Sequence, residues 1–205
     1  MKKNMTAKGQ LTRQKLFEAG LKFFVEKGYE SSSVDEIVGS IGLTSGVFYS
    51  NFKSKEDLLK QVIERRIVKT KELLLVKHPN EQDREWVSRA LSTYLSPQHR
   101  DGISSSCPMS TISQELTKLR MVTRTGLDIY VQDFQAALKE SLGSIKPGLE
   151  KKAPALISIC IGGLITARTI KDKKLSDEFL VSCRNSALEF VFTSKEYGAQ
   201  ECLFL

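Results

Sequence analysis

Between Leu16 and Leu59 the apolar residues fall at helical spacing in short runs, with glycines where the chain must turn, Gly28 and Gly42. This pattern constrains the fold more than any other. Leu16, Phe17, Gly20, Leu21, Phe24 and Val25 recur at i, i+1, i+4, i+5, one face of a helix from about Thr12 to Lys27. Gly28 follows in the position where a left-handed residue ends a helix. In "SSSVDEIVGSI" Ser33 and Glu36 have the spacing of a capping box, and a helix from Val34 to Ile41 would bury Val34, Ile37, Val38 and Ile41. Gly42 supplies the next turn, and Thr44 is placed to cap a short third helix ending near Asn51. Ser54 begins a long fourth helix reaching about Lys77, with Glu56 and Asp57 in its first turn, where the helix dipole favours acids.

His78, Pro79 and Asn80 break the pattern, dividing the chain into 1–54, a connecting helix 55–77, and 78–205. Beyond the break, helices are expected at about Glu81–Leu95, Met109–Lys118, Met121–Leu142, Leu149–Ile170 and Asp177–Ser194. The stretch "SPQHRDGISSSC" reads as a loop, and Pro108 suits the first turn of the helix after it. Strand-like alternation is missing throughout, so the chain is read as all-α. The run from Ala153 to Ala167 carries no charge, but it is 15 residues long and contains Pro154, Gly162 and Gly163. A membrane span needs about 20 apolar residues, so this helix is expected to be buried on several sides. The start, "MKKNMTAKGQLTRQ", has no apolar run of the secretory kind. A cytoplasmic location and no membrane partner are expected.

Charge is unevenly spread. Of a net +7, residues 1–77 hold 15 Lys and Arg against 9 Asp and Glu, a net of +6, and the remaining 128 residues hold 16 against 15. A basic first third suits a polyanionic partner. The cysteines, Cys107, Cys160, Cys183 and Cys202, form no CxxC pair, and His78 and His99 have no neighbours at metal-ligand spacing. No metal, cofactor or disulfide framework is implied. A phosphate-binding glycine loop and a nucleophile motif are also missing, which argues against an enzyme.

Three short helices with a glycine between the second and third have the layout of a helix-turn-helix, whose last helix enters the major groove. Phe48 and Phe52 share a face and turn inward, leaving Thr44, Ser45, Gly46, Val47, Tyr49 and Ser50 outward. Hydroxyls can bond bases or phosphates, Gly46 permits close backbone approach, and Val47 can meet a thymine methyl. Lys2, Lys3 and Lys8 before the helices, and Lys53 and Lys55 after the third, bring phosphate attraction. The run "TRQKLFEAGLKFFVEKGYESSSVDEIVGSIGLTSGVFYSNFKSKEDLL", Thr12 to Leu59, closely resembles the DNA-binding domain of the TetR family of bacterial transcriptional regulators. The resemblance implies phosphate contacts from Tyr49, Lys55 and Ser33, with Thr44, Ser45, Gly46, Val47 and Ser50 facing the bases of double-stranded operator DNA. The sequence departs from the common pattern at Ser45, where Lys or Arg is frequent, and at Val38 and Ile41, where alanines are usual.

The resemblance extends more loosely through "SSSCPMSTISQEL" and "ISICIGGLITARTIKDKKLSDEFL", and implies a homodimer through the last two long helices. Leu156, Cys160, Gly163, Leu164 and Ala167 on the first, and Phe179, Cys183, Ala187 and Phe190 on the second, are the candidate interface. Packing of Gly162 and Gly163 within one subunit is the alternative. Trp86, Tyr94, Cys107, Met109, Ile112, Tyr130 and Phe134 are the candidate lining for a small, mostly apolar effector, since ligand sites form between helices of bundles; Met121 is a further candidate for that lining. For any one of the aromatic residues, plain core packing is the competing reading. Cys107 stands just before Pro108 at an expected helix start, where the dipole lowers a thiol pKa. A regulator sensing oxidants or electrophiles through Cys107 is therefore the alternative to a pocket, and a half-buried structural cysteine the simpler reading of that residue.

Overall fold

Thr6 begins the first helix: its backbone is extended and its hydroxyl accepts from the Gly9 N–H at 3.2 Å. The computed structural model describes residues 6–102, 110 and 121–192, giving for 121–127 and 130 the helix but not the side chains. α1 spans Ala7–Glu26, five residues longer at its start than apolar spacing indicates, because Thr6 is a cap that no apolar residue announces. Gly28 takes φ 83° and ends it. In α2, Val34–Gly39, the capping box forms: Glu36 N–H donates to the Ser33 hydroxyl and the Glu36 carboxylate accepts from the Ser33 N–H. Gly42, at φ 68°, makes the turn to α3, Ser45–Asn51. α4, Lys55–Leu74, is capped by the Ser54 hydroxyl, which accepts from Asp57 N–H at 3.1 Å.

These four helices share one core. Leu16, Phe24, Ile37, Phe48, Phe52, Leu58 and Leu59 are all buried, each worth about 1.5–3 kcal/mol in transfer free energy. Phe17 meets Phe52 edge to face at 5.3 Å. A side chain on Gly20 would come within 2.7 Å of Leu58 Cδ2, so glycine is what lets α1 and α4 cross closely.

The far end of α4 packs on the second region. That region holds α5, Asp83–Tyr94, α6, Pro97–Asp101, α7, Met121–Ile145, a 3-10 turn Leu149–Lys152, α8, Ala153–Thr169, and α9, Lys173–Val191. Among the described residues there is no strand, as expected of an all-α chain. α6 forms inside the expected loop because the Ser96 hydroxyl accepts from His99 N–H at 3.1 Å and Pro97 fits the first turn. α9 begins four residues before Asp177 because the Asp172 carboxylate accepts from Leu175 N–H. α8 and α9 pack along each other, and α7 covers α5. Among the described residues no helix is long and apolar enough to cross a membrane. The expected helix 109–118 lies outside the described residues.

Candidate nucleic-acid interface

The orientation of α3 is set at its inner face and at its end. Phe48 and Phe52 pin its inner face, and Arg13 of α1 takes its end: the guanidinium donates to the Asn51 carbonyl at 2.7 Å and to Gln61, with its carbon 4.6 Å from the Phe52 ring centroid. A cation at the C-terminal carbonyls of a helix is where the dipole favours it. Gln61 also donates to Asp57, which accepts from the Lys53 N–H at 2.9 Å. Against the upward pull of partial burial, these bonds hold the Asp57 carboxyl below its ordinary value. The outward face of α3 itself, from the run SGVFYSN, carries no charged side chain.

On that face Thr44, Gly46, Tyr49 and Ser50 are exposed and Ser45 and Val47 half-buried. Thr44 occupies the N-cap position, but its hydroxyl makes no capping bond. The Ser50 hydroxyl donates back to the Val47 carbonyl at 2.8 Å and accepts from the Asn51 amide at 3.2 Å, which leaves it one lone pair for solvent. Tyr49 stands out, 61% exposed, its ring edge against Phe48. Ser45 donates to Asp35 of α2. Ser33 is exposed at the start of α2 with its hydroxyl inside the capping box. Lys27 donates to Glu36 at 2.8 Å and, with the Ser33 N–H, lowers the Glu36 carboxyl to about 2. Lys8, in α1, and Lys53, just after α3, are exposed. Lys2 and Lys3 lie outside the described residues.

Lys55 departs from its expected place. Its ammonium donates to the carbonyls of Tyr29 and Ser32, each at 2.8 Å, and lies 4.3 Å from the Tyr29 ring centroid. Two carbonyls of the α1–α2 corner turn toward it, that of Tyr29 also accepting from the Ser32 N–H at 3.3 Å, so Lys55 ties that corner to the start of α4. Arg13, Gln61 and Asp35 carry no sequence signal of their own, because their partners are set by the fold.

Of the effector candidates, Trp86, Tyr94 and Phe134 are buried at 1%, 1% and 5% exposure. The Trp86 indole N–H has no hydrogen-bond partner among the described residues. Tyr94 packs edge to face on His99 at 4.7 Å, and His99 Nδ1 meets the Tyr94 carbonyl at 2.8 Å. Cys107, Met109 and Ile112, and the side chains of Met121 and Tyr130, lie outside the described residues.

The interface candidates divide. Phe179 and Phe190 are exposed and Cys183 is half-buried, but Leu156, Cys160, Gly163, Leu164, Ala167 and Ala187 are covered inside the subunit. A side chain on Gly163 would come within 2.8 Å of Cys183 Sγ and 3.1 Å of Leu95 Cδ2. Gly163 therefore packs within one subunit, and a side chain on Gly162 would meet nothing within 4 Å. The opposite side of α8, with Ala155, Ser158 and Gly162, is the exposed one. α8 is apolar on both sides, and the subunit's own core takes its bulkier residues.

Comparison with known proteins agrees with this architecture. The family described as bacterial regulatory proteins, tetR family, matches residues 16–62. Over 183 residues the chain is 30% identical to the HTH-type transcriptional repressor DhaR of Mycobacterium sp. (strain GP1), covering 82% of this chain and 88% of that one. It is 28% identical over 176 residues to the uncharacterized HTH-type transcriptional regulator YwcC of Bacillus subtilis (strain 168), covering 83% and 76%. The fold is similar to that of a TetR transcriptional regulator from Legionella pneumophila, with a TM-score of 0.74 at 18% identity, over 93% of this chain and 100% of that one. With its helix-turn-helix, its second helical region and this relationship along most of its length, the chain belongs to the tetR family of transcriptional regulators.

Proposed function

We propose that the protein is a homodimeric, sequence-specific operator-DNA-binding repressor, released by a small and mostly apolar effector. The observation that carries this reading is the outward face of α3, uncharged and exposed, on a helix held rigidly by Phe48, Phe52 and Arg13. Rigid placement suits direct readout of base edges, and the exposed Lys8 and Lys53 supply phosphate attraction. Tyr49 and Lys53 reach phosphates, Thr44, Ser45, Gly46, Val47 and Ser50 face bases, and Ser33 and Lys55 fix the corner that presents them. A second copy pairs on the exposed side of α8 and α9, where Gly162, Phe179 and Phe190 lie. The effector acts among α4, α5 and α7, close to Trp86, Tyr94 and Phe134, and α4 carries the change to α3. The side chains of Trp86, Tyr94 and Phe134 are mostly apolar, which suits an apolar ligand.

Selection of bound sequences from random duplex DNA tests the reading. Tyr49→Ala should weaken binding to all sequences alike, whereas Val47→Ala should alter preference at one base pair by about 1 kcal/mol. Equal binding of the unaltered protein to random and selected DNA would sink the proposal.

A further inference from the structure

We infer that Ser45 reads its base as a hydrogen-bond acceptor, because Asp35 holds its proton, and that the pair selects an exocyclic amino group in the major groove. The inference rests on the DNA-reading proposal above. Ser45 is the first residue of α3, and its Oγ donates to Oδ1 of Asp35, in the first turn of α2, at 2.5 Å. Asp35 is exposed on the same side. A serine hydroxyl has one hydrogen and two lone pairs. A bond to an ionised carboxylate is about twice as strong as a neutral one, so that hydrogen stays with Asp35. What remains toward DNA is lone pairs on Ser45 Oγ and on the second oxygen of Asp35.

Major-groove donors are the N4 amino group of cytosine and the N6 amino group of adenine, whereas guanine N7 and O6 and thymine O4 only accept. Opposite an acceptor, the Ser45–Asp35 pair has no proton to give, and two sets of lone pairs repel. The carboxylate also disfavours a phosphate at this spot, which keeps Ser45 over the base edge. A serine without Asp35 would rotate its hydrogen to either partner and discriminate poorly.

The test uses the full-length protein and a duplex selected from random DNA. The base pair whose preference disappears in Ser45→Ala is the one Ser45 reads. At that pair, two altered duplexes are compared by fluorescence anisotropy: one lacking the exocyclic amino group, with purine for adenine or 2-pyrimidinone for cytosine, and one lacking the purine N7 acceptor. The same changes at an uncontacted pair are the control. Loss of the amino group should weaken the unaltered protein about fivefold, one net hydrogen bond, and loss of N7 should have no effect. Asp35→Asn keeps the side-chain size and offers Ser45 a donor, freeing the hydroxyl hydrogen; with it, the amino dependence should vanish and affinity for the selected duplex should fall about fivefold, to that of the unaltered protein on the duplex lacking the amino group. An unaltered protein indifferent to the amino group, or dependent on N7, overturns the inference without needing any variant. So does an amino dependence that survives Asp35→Asn, or a Ser45→Ala that changes no base pair. Failure to select any sequence overturns the DNA-reading proposal itself, a result visible before Ser45 is tested.

Discussion

Gly46 separates what the subunit needs from what its partner needs. A methyl group built there would meet nothing nearer than the Thr44 hydroxyl oxygen at 3.8 Å. Packing therefore does not require glycine, and in a helix alanine is better by up to about 1 kcal/mol. Gly46→Ala should leave the thermal midpoint unchanged or slightly raised, yet weaken binding to selected DNA roughly tenfold if the backbone comes close to a base. Unchanged affinity would show that the space over Gly46 is not used. The outward set of α3 was legible because Phe48 and Phe52 fix the helix's inner face by spacing alone. Arg13 was not, since its partners stand 38 and 48 positions away, and neither was the inward turn of Lys55, which answers to carbonyls 26 and 23 positions away at a corner.

At the scale of elements, Arg89 braces the joint between α4 and α5, beside the Lys77–Asp83 ion pair. Arg89 donates from Nε to Glu81 Oε1 at 2.6 Å and from its second nitrogen to Oε2 at 2.8 Å, and it also reaches the carbonyls of Val76 at 2.9 Å and Leu73 at 3.3 Å. It thereby closes the open end of α4 while holding the start of α5. Arg89, with help from the His78 N–H and against the cost of burial, lowers the Glu81 carboxyl to about 2. The folded value lies below the unfolded one, so this contact stabilises fully above about pH 4.5 and fades as the pH falls toward 2. Arg89→Ala should cost about 2 kcal/mol, constant from pH 8 to pH 5. Urea unfolding at lower pH should show the gap to the unaltered protein narrowing, without closing, since the carbonyl contacts do not titrate. A gap that widens below pH 4.5 would contradict this assignment. Helix existence was readable from periodicity at nearly every described element. The starts of α1, α6 and α9 were not, because Thr6, Ser96 and Asp172 act as caps through side-chain bonds that a hydropathy pattern does not register.

For the whole molecule, the two adjacent glycines of α8 face different neighbours and so report on different equilibria. Gly163 lies against Cys183 and Leu95 of its own subunit, whereas Gly162 opens outward beside Ala155 and Ser158. On α9, Leu175, Phe179 and Phe190 are 44%, 40% and 38% exposed along one stripe. An apolar stripe of this kind on two packed helices is a surface that a second copy can cover, and small residues let the backbones approach. Gly163→Ala should cost about 1–3 kcal/mol of unfolding free energy through overpacking, with the assembly state unchanged at concentrations where the chain is folded. Gly162→Arg should do the opposite: each subunit keeps its fold, and sedimentation shifts to the monomer, because a long charged side chain would be buried between copies without a partner. Operator affinity should fall with it, because the proposed dimer would read two half-sites through two linked α3 helices. A Gly162→Arg protein that still sediments as a dimer would move the proposed interface off α8, and a dimer lost in Gly163→Ala at full folding would return the interface to the side of α8 that the subunit's own core occupies.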